Sequence, residues 1–340
     1  MLGHVDQPAA KRERVPEKKN IAQRDARTIH DMQTERIYEM KIGYIGLGKM
    51  GFNMVERLIE KGYSVVVFDK DEEVSTNISK RGARAAASLQ SLTRALPQPR
   101  LVWLMVPHKA VESVLQELIP FLQKGDTVID GGNSPYKESM RRARVLGKKG
   151  IEFLDVGVSG GPEGARNGAC IMAGGKRTIF RKYERLFKDL SAGQGYGYMG
   201  KSGSGHFVKM VHNGIEYGMM QAIAEGFAVM KASDFKLHLK KITEVYNHRS
   251  VIESRLVGWL RDAFEEYGEG LSNISGSVSQ SGEGLWTVKA AKELGIPAPI
   301  IKGALDFRLQ SEKKPSYTGQ IVSALRNQFG GHEVFKKKKV

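Results

Sequence analysis

Residues Gly46-Leu47-Gly48-Lys49-Met50-Gly51 place a G-x-G-x-x-G between a short apolar run, Lys41 to Ile45, and a segment of helical spacing from Met50 to Glu60. In that position the motif restricts the fold tightly. The first glycine makes the strand-to-helix turn, the second lets backbone approach a pyrophosphate, and the third lets helix and strand pack closely. The helix opening there turns the positive end of its dipole toward the anion. The motif therefore predicts a βαβ unit that binds a dinucleotide.

The rest of the chain divides around this unit. Apolar runs at Tyr63 to Phe68, Leu101 to Val106, Thr127 to Ile129, Glu152 to Val158 and Cys170 to Ala173 read as strands, with a helical stretch from Val111 to Leu122 among them. Strands alternating with helices predict a mainly parallel sheet. After about Gly203 the strands stop. His206 to Ala232 is long, apolar-rich and free of proline, and helical stretches continue to about Phe329. The expected architecture is an α/β Rossmann-type N-terminal domain, residues 40–202, followed by an all-α C-terminal domain, residues 203–335. Residues 1–39 carry eight basic and seven acidic residues without apolar periodicity, and read as a disordered extension with no signal or transit character. Residues 336–340, with Lys336 to Lys339, read as a solvated basic tail.

Composition narrows the partners. The chain has 53 Lys and Arg against 37 Asp and Glu, a net charge of +16 that favours anionic ligands. The aromatics are spread through apolar runs instead of alternating with basic residues, so no nucleic acid is expected. No run of eighteen apolar residues exists, so no membrane partner is expected either. The single cysteine, Cys170, excludes an intrachain disulfide and a thiolate-rich metal site, and fits a cytoplasmic protein. We read Cys170 as a small buried apolar residue, and no metal ligands are assigned.

Further residues carry chemistry. Asp69 ends the second strand, where an acid accepts from the free ribose hydroxyls and repels a 2′-phosphate; NAD is favoured over NADP. Lys209, His212, Asn213, Glu216 and Tyr217 fall at i, i+3, i+4, i+7 and i+8, one stripe of a helix whose flanking residues are apolar. Buried polar groups need partners, and a polyhydroxy ligand would supply them. Two glycine-rich turns follow strands. In Asp130-Gly131-Gly132-Asn133-Ser134-Pro135, Ser134 and Pro135 suit N-cap and N1 of the next helix. Val158-Ser159-Gly160-Gly161-Pro162-Glu163-Gly164-Ala165 offers backbone donors for a carboxylate. Arg308 lies on a helical stretch, and Arg326 and His332 flank a glycine turn near the C-terminus; the arginine fork suits phosphate.

Together these segments resemble the 6-phosphogluconate dehydrogenase family, in collinear order from about Lys41 to His332. The first two motifs are shared by the wider β-hydroxyacid dehydrogenase superfamily; His212-Asn213-Gly214-Ile215-Glu216-Tyr217 and the Arg326-to-His332 segment are more specific. The chain lacks the duplicated helical half of long members and is similar to the short, NAD-linked branch. The resemblance implies oxidative decarboxylation of 6-phospho-D-gluconate to D-ribulose 5-phosphate in the pentose phosphate pathway. It implies Lys209 as general base and Glu216 as proton donor. Asn133, Ser159, Gly160, Gly161, His212 and Asn213 would hold the carboxylate and hydroxyls, and Tyr217 and Arg308 the phosphate. The cofactor would fall to Gly46, Leu47, Gly48, Lys49, Met50, Gly51, Asp69, Val106 and Asn133. A homodimer or homotetramer is implied, with Arg326 and His332 reaching the neighbouring subunit's site. The chain departs from long members at Ser281, where they carry a phosphate-contacting lysine, and at Met219, where many carry an acid. The alternative is a non-decarboxylating enzyme of the 3-hydroxyisobutyrate type, which has no use for Glu216, Arg308 or the tail.

Overall fold

A computed structural model of the chain describes residues 40–279 and 282–334. The N-terminal extension, Ser281 and the basic tail, all singled out above, lie outside the described residues. The elements run β1 (Lys41–Ile45), α1 (Lys49–Glu60), β2 (Ser64–Phe68), α2 (Glu72–Ser79), β3 (Arg84–Ala85), α3 (Leu89–Arg94), β4 (Leu101–Leu104) and α4 (His108–Leu118). Then come β5 (Thr127–Asp130), α5 (Tyr136–Gly147), β6 (Glu152–Ser159), α6 (Gly161–Asn167), β7 (Ala169–Gly175), α7 (Arg177–Lys182), α8 (Glu184–Leu190) and β8 (Ser191–Gly200). Helices follow: α9 (Ser204–Ala232), α10 (Leu239–Tyr246), α11 (Arg255–Tyr267), α12 (Glu283–Glu293), α13 (Pro299–Ser311) and α14 (Tyr317–Gly330).

The strands form one sheet in the order β3-β2-β1-β4-β5-β6-β7-β8. All neighbours are parallel except β6 and β7, which pair antiparallel with Val156 opposite Ala173. The direction of winding reverses between β1 and β4, and ligands of open α/β sheets bind at that switch point. β4 and β5 are buried at every residue, as expected of parallel strands covered on both faces. Trp103 on β4 stacks on Tyr44 of β1 with planes 6° apart. Helix α1 docks through Met54, Val55 and Leu58, side chains whose burial stabilises by about 1.5–3 kcal/mol each. A second core, around Phe227, Leu260, Phe264, Ile321 and Leu325, holds the helices together.

The α/β class and the helical region after it agree with the sequence reading, and three details differ. Strand β8 goes unpredicted because Gly193, Gly195 and Gly197 alternate along it, suppressing the apolar signal; pairing with β7 makes the strand. Helix α5 begins one residue late: Pro135 occupies the N-cap, and Ser134 Oγ instead donates to Asp130 Oδ2 at 2.8 Å. Cys170 is exposed, not buried: β7 pairs it with Ser159 at the end of β6, on the sheet face that Gly157 turns toward Lys209 and opposite to that of the buried Ala169 and Ile171. Among the described residues no helix is long and apolar enough to cross a membrane.

Candidate active site

The glycine loop after β1 is built for backbone contact. Gly46 has φ +98°, and a Cβ there would lie 2.4 Å from Met105 O. At Gly51 a Cβ would meet Gly46 O at 2.1 Å, so helix and loop touch directly. Gly48 differs: a Cβ there would meet nothing within 4 Å. It is the N-cap of α1 with no side chain capping the helix, so open space and a helix N-terminus coincide. This cradle fits a dinucleotide pyrophosphate. Behind it, Asp69 Oδ2 accepts from Leu47 N at 2.6 Å and Oδ1 from Asp71 N at 3.0 Å, tying the end of β2 to the loop.

The second wall depends on a helix lying directly on the sheet. A Cβ on Gly157 of β6 would sit 2.4 Å from Lys209 Cβ, and one on Gly205 would sit 2.3 Å from Asp155 O. Without these glycines a layer of side chains would separate α9 from β6. The buried Asp155 carboxylate accepts from Gly203 N at 2.6 Å and His206 N at 3.0 Å, capping α9. Lys209 is thereby fixed one turn into the helix, beside the sheet.

Between the walls lies a cavity of about 840 Å³. Lys209 is buried in it, and Nζ donates to Asn213 Oδ1 at 2.8 Å. Burial pushes the Lys209 ammonium below its ordinary pKa, against the opposing pull of the Glu216 and Glu283 carboxylates. His212 Nδ1 lies 3.0 Å from the same Asn213 oxygen and Nε2 lies 3.2 Å from Ser159 Oγ. An amide oxygen only accepts, so Nδ1 carries the proton and Nε2 accepts from the serine. Burial, then the Lys209 charge, lowers His212 and keeps its ring neutral. Glu216 sits one turn on, its side chain 24% exposed at the cavity wall.

The far end is cationic. Arg308 is 2% exposed, its guanidinium carbon 3.3 Å from the Tyr217 ring centroid, and Arg326 is 6% exposed, donating to Ser279 Oγ at 2.9 Å. Burial lowers both guanidiniums, Arg308 to about 10. Neither has a carboxylate within ion-pair distance among the described residues. Two buried cations without a bound counter-charge make an anion site. At the rim, desolvation and the cations Arg326 and Lys49 lower the His332 imidazole.

The structure brings Gly48, Lys49, Met50, Gly51, Val106 and Asn133 to one side of this cavity. Ser159, Gly160, Gly161, Lys209, His212, Asn213, Glu216, Tyr217, Arg308, Arg326 and His332 line the remainder. Gly46, Leu47 and Asp69 stand behind the loop. Arg326 and His332, assigned above to a neighbouring subunit, line the cavity of their own chain. The turn after α14 brings them there: Lys49 Nζ donates to Gly331 O at 2.6 Å, and Gly161 lies so close that its Cβ would meet Phe329 O at 1.9 Å. Sequence reasoning missed Glu283, buried in the cavity wall. The signal for it was the segment Gly282-Glu283-Gly284-Leu285-Trp286-Thr287 that follows Ser281. Met219 is 44% exposed at the cavity mouth.

Comparison with known proteins agrees with this geometry. Residues 41–210 match the NAD binding domain of 6-phosphogluconate dehydrogenase, and residues 205–339 match the 6-phosphogluconate dehydrogenase C-terminal domain. The Bacillus subtilis protein YqeC is 46% identical over 298 residues, covering 88% of this chain and 100% of its own. The NAD(+)-dependent, decarboxylating 6-phosphogluconate dehydrogenase of Haloferax volcanii is 39% identical over 300 residues, 88% of this chain and 99% of its own. The solved structure of Plasmodium falciparum 6-phosphogluconate dehydrogenase superposes with a TM-score of 0.71 at 33% identity, covering 81% of this chain and 62% of that one.

Proposed function

The chain belongs to the 6-phosphogluconate dehydrogenase family, and from that membership we propose that it converts 6-phospho-D-gluconate to D-ribulose 5-phosphate and carbon dioxide with NAD. The chain is an oxidoreductase with an NAD-binding domain. Residues 40–202 bind the dinucleotide in this reading, and residues 203–335 supply most of the substrate site. The observation that carries the proposal is the cavity's polarity: a desolvated lysine beside Glu216 at one end, two buried guanidiniums at the other. An unphosphorylated hydroxy acid would leave Arg308 and Arg326 without a counter-charge.

NAD would be held by Gly48, Lys49, Met50, Gly51, Val106 and Asn133, with Asp69 at the ribose, and when bound it accepts the hydride from carbon 3 of the substrate. Lys209, whose desolvation favours the neutral amine, takes the proton of the carbon 3 hydroxyl. Asn213 Oδ1 then holds the ammonium. That cation polarises the new carbon 3 ketone, and the carbon 1 carboxylate of the β-keto acid departs as carbon dioxide. The electron pair left behind forms the carbon 2–carbon 3 double bond while the Lys209 ammonium returns its proton to the carbon 3 oxygen, giving an enediol. Glu216 delivers a proton to substrate carbon 2, which becomes carbon 1 of the product. Ser159 and the backbone at Gly160 and Gly161 hold the carboxylate; neutral His212 and Asn213 fix the hydroxyls; Tyr217, Arg308, Arg326 and His332 hold the phosphate. The reading includes cytoplasmic action and a homo-oligomer, the latter supported by Val229 on α9 and Ile300 on α13, each 71% exposed.

The test is an initial-rate assay with 6-phosphogluconate, run in parallel with NAD and NADP, with released carbon dioxide trapped. Equal amounts of reduced cofactor and carbon dioxide, formed faster with NAD, are expected. Reduction without carbon dioxide would replace this reading with the non-decarboxylating one.

A further inference from the structure

Glu283 takes no part in the proton transfers above, yet it stands where the two walls of the cavity meet. It opens α12 behind Gly282, which has φ +104°, and is 4% exposed. Its Oε1 accepts from Nδ2 of Asn133, on the cofactor side, at 2.9 Å. Its helix is fastened to the substrate side: Thr287 Oγ1 donates to Met210 O at 2.7 Å and to Glu283 O at 2.9 Å. Backbones approach closely there, since a Cβ on Gly214 would meet Thr287 Cγ2 at 2.6 Å and one on Gly284 would meet Tyr217 Cε2 at 2.5 Å. The carboxylate is thus held rigidly with respect to both Lys209 and Asn133.

We propose that Glu283 is a positioning residue for the reaction: it locks the Asn133 amide with its oxygen toward the ligands, and it supplies a fixed counter-charge to Lys209. The lock follows from donor chemistry. A carboxylate accepts, and only the nitrogen end of an amide donates, so the contact decides which way Asn133 faces. Asn133 Oδ1 is left as an acceptor for a ligand N–H or hydroxyl. Asn133 is exposed within the cavity, so without Glu283 both orientations of its amide become available. The inference rests on the proposed function for the identity of the ligands, but not for the coupling between Glu283 and Lys209.

That coupling has a sign. The groups facing Lys209 are His212 and Glu216 on its own helix, Cys170 on β7 and Glu283 on α12, with Arg308 on α13 and Arg326 on α14 across the cavity. Burial lowers Lys209, and Glu283 is one of the charges that oppose the lowering. Removing that charge lets the neutral amine persist to lower pH.

Two variants separate the parts of the proposal, because Glu283→Gln keeps the size and loses the charge, whereas Glu283→Asp keeps the charge and withdraws it from Asn133. With Glu283→Gln, kcat/KM for 6-phosphogluconate should fall about 10-fold or more, the effect of losing a charge-assisted hydrogen bond. The acid limb of its pH profile should also move to lower pH. Glu283→Asp should raise KM for substrate and NAD while its acid limb stays where the wild type has it. The same shift should be visible without substrate, as the pH dependence of Lys209 acylation by an amine-directed reagent, read by mass spectrometry. If the acylation profiles of wild type and Glu283→Gln superimpose, the proposal is overturned. If they separate but the wild type does not turn over 6-phosphogluconate, the coupling stands and the proposed function fails.

Discussion

The two walls of the cavity offer a ligand different surfaces. On the cofactor wall the protein presents backbone: Gly46 turns the chain, Gly48 leaves space, and the uncapped start of α1 aims N–H groups into it. On the substrate wall it presents side chains whose charges have been taken out of water, Lys209, Arg308 and Arg326. A backbone wall contributes donors that need no desolvated charge, and six consecutive residues suffice to make it. A wall of buried cations is costly to fold and becomes favourable only when an anion arrives. Apart from the Glu283–Asn133 contact that joins them, the first wall can in the proposed reading hold a cofactor without the cations of the second, which is where substrate and chemistry would be chosen.

The largest expected effect follows from that independence. Lys209→Met should reduce turnover by about 10²–10⁴-fold, the range for loss of a general base, while NAD affinity measured by calorimetry stays at the wild-type value. The same substitution should raise Tm. The folded-state pKa of Lys209 lies below that of the unfolded chain, so the unfolded state binds more protons, and the buried amine costs stability that grows as pH falls through the window between the two values. A Met of similar length removes that cost. If NAD affinity falls along with turnover, the two walls are not independent and the comparison is broken.

Arg308→Met probes the substrate wall away from the reacting carbons. A hydrogen bond to a charged group is worth about 1.5–3 kcal/mol, so KM for 6-phosphogluconate should rise roughly 10- to 150-fold with kcat little changed. The phosphate alone makes this contact in the proposed pose, so an effect confined to kcat would place Arg308 elsewhere in the reaction. Gluconate, which has no phosphate, serves as the control: any weak turnover of it should be indifferent to the substitution.

The same division explains what could be read from sequence. The glycine loop of the cofactor wall was legible because its residues are contiguous and glycine is needed at fixed offsets; the loop and α1 stand where the motif put them. Lys209 to Tyr217 was legible because one helix carries the whole stripe. Glu283 was not, because its role arises from packing α12 against α9 at Gly214 and Gly284, a tertiary contact with no local pattern. Arg326 and His332 were singled out by residue type, whereas the path that brings them to the cavity of their own chain depends on Lys49 holding Gly331 O. Cys170 shows the same limit: residue type suggested burial, and its exposure depends on where β7 meets the end of β6 at Ser159.

The smallest expected effect concerns cofactor choice, and it sharpens the comparison because the cofactor wall is predicted to discriminate by charge at one point only. Asp69 has two roles, holding Leu47 N–H at 2.6 Å and presenting a carboxylate to the ribose. Replacement by alanine would confuse them, so Asp69→Asn is the informative change: its amide oxygen can still accept from Leu47 N–H, and only the charge is lost. A carboxylate and a 2′-phosphate several ångströms apart in a partly exposed site repel by about 1 kcal/mol, so the NAD-over-NADP ratio in kcat/KM should narrow by about 5-fold. Because that repulsion crosses solvent, the wild-type ratio should itself shrink as ionic strength rises toward 1 M, where the Debye length is about 3 Å. The Asp69→Asn ratio should be nearly flat over the same range. A wild-type preference that ignores salt would mean that the wall selects by shape at the ribose, and Asp69 would then be a loop anchor alone.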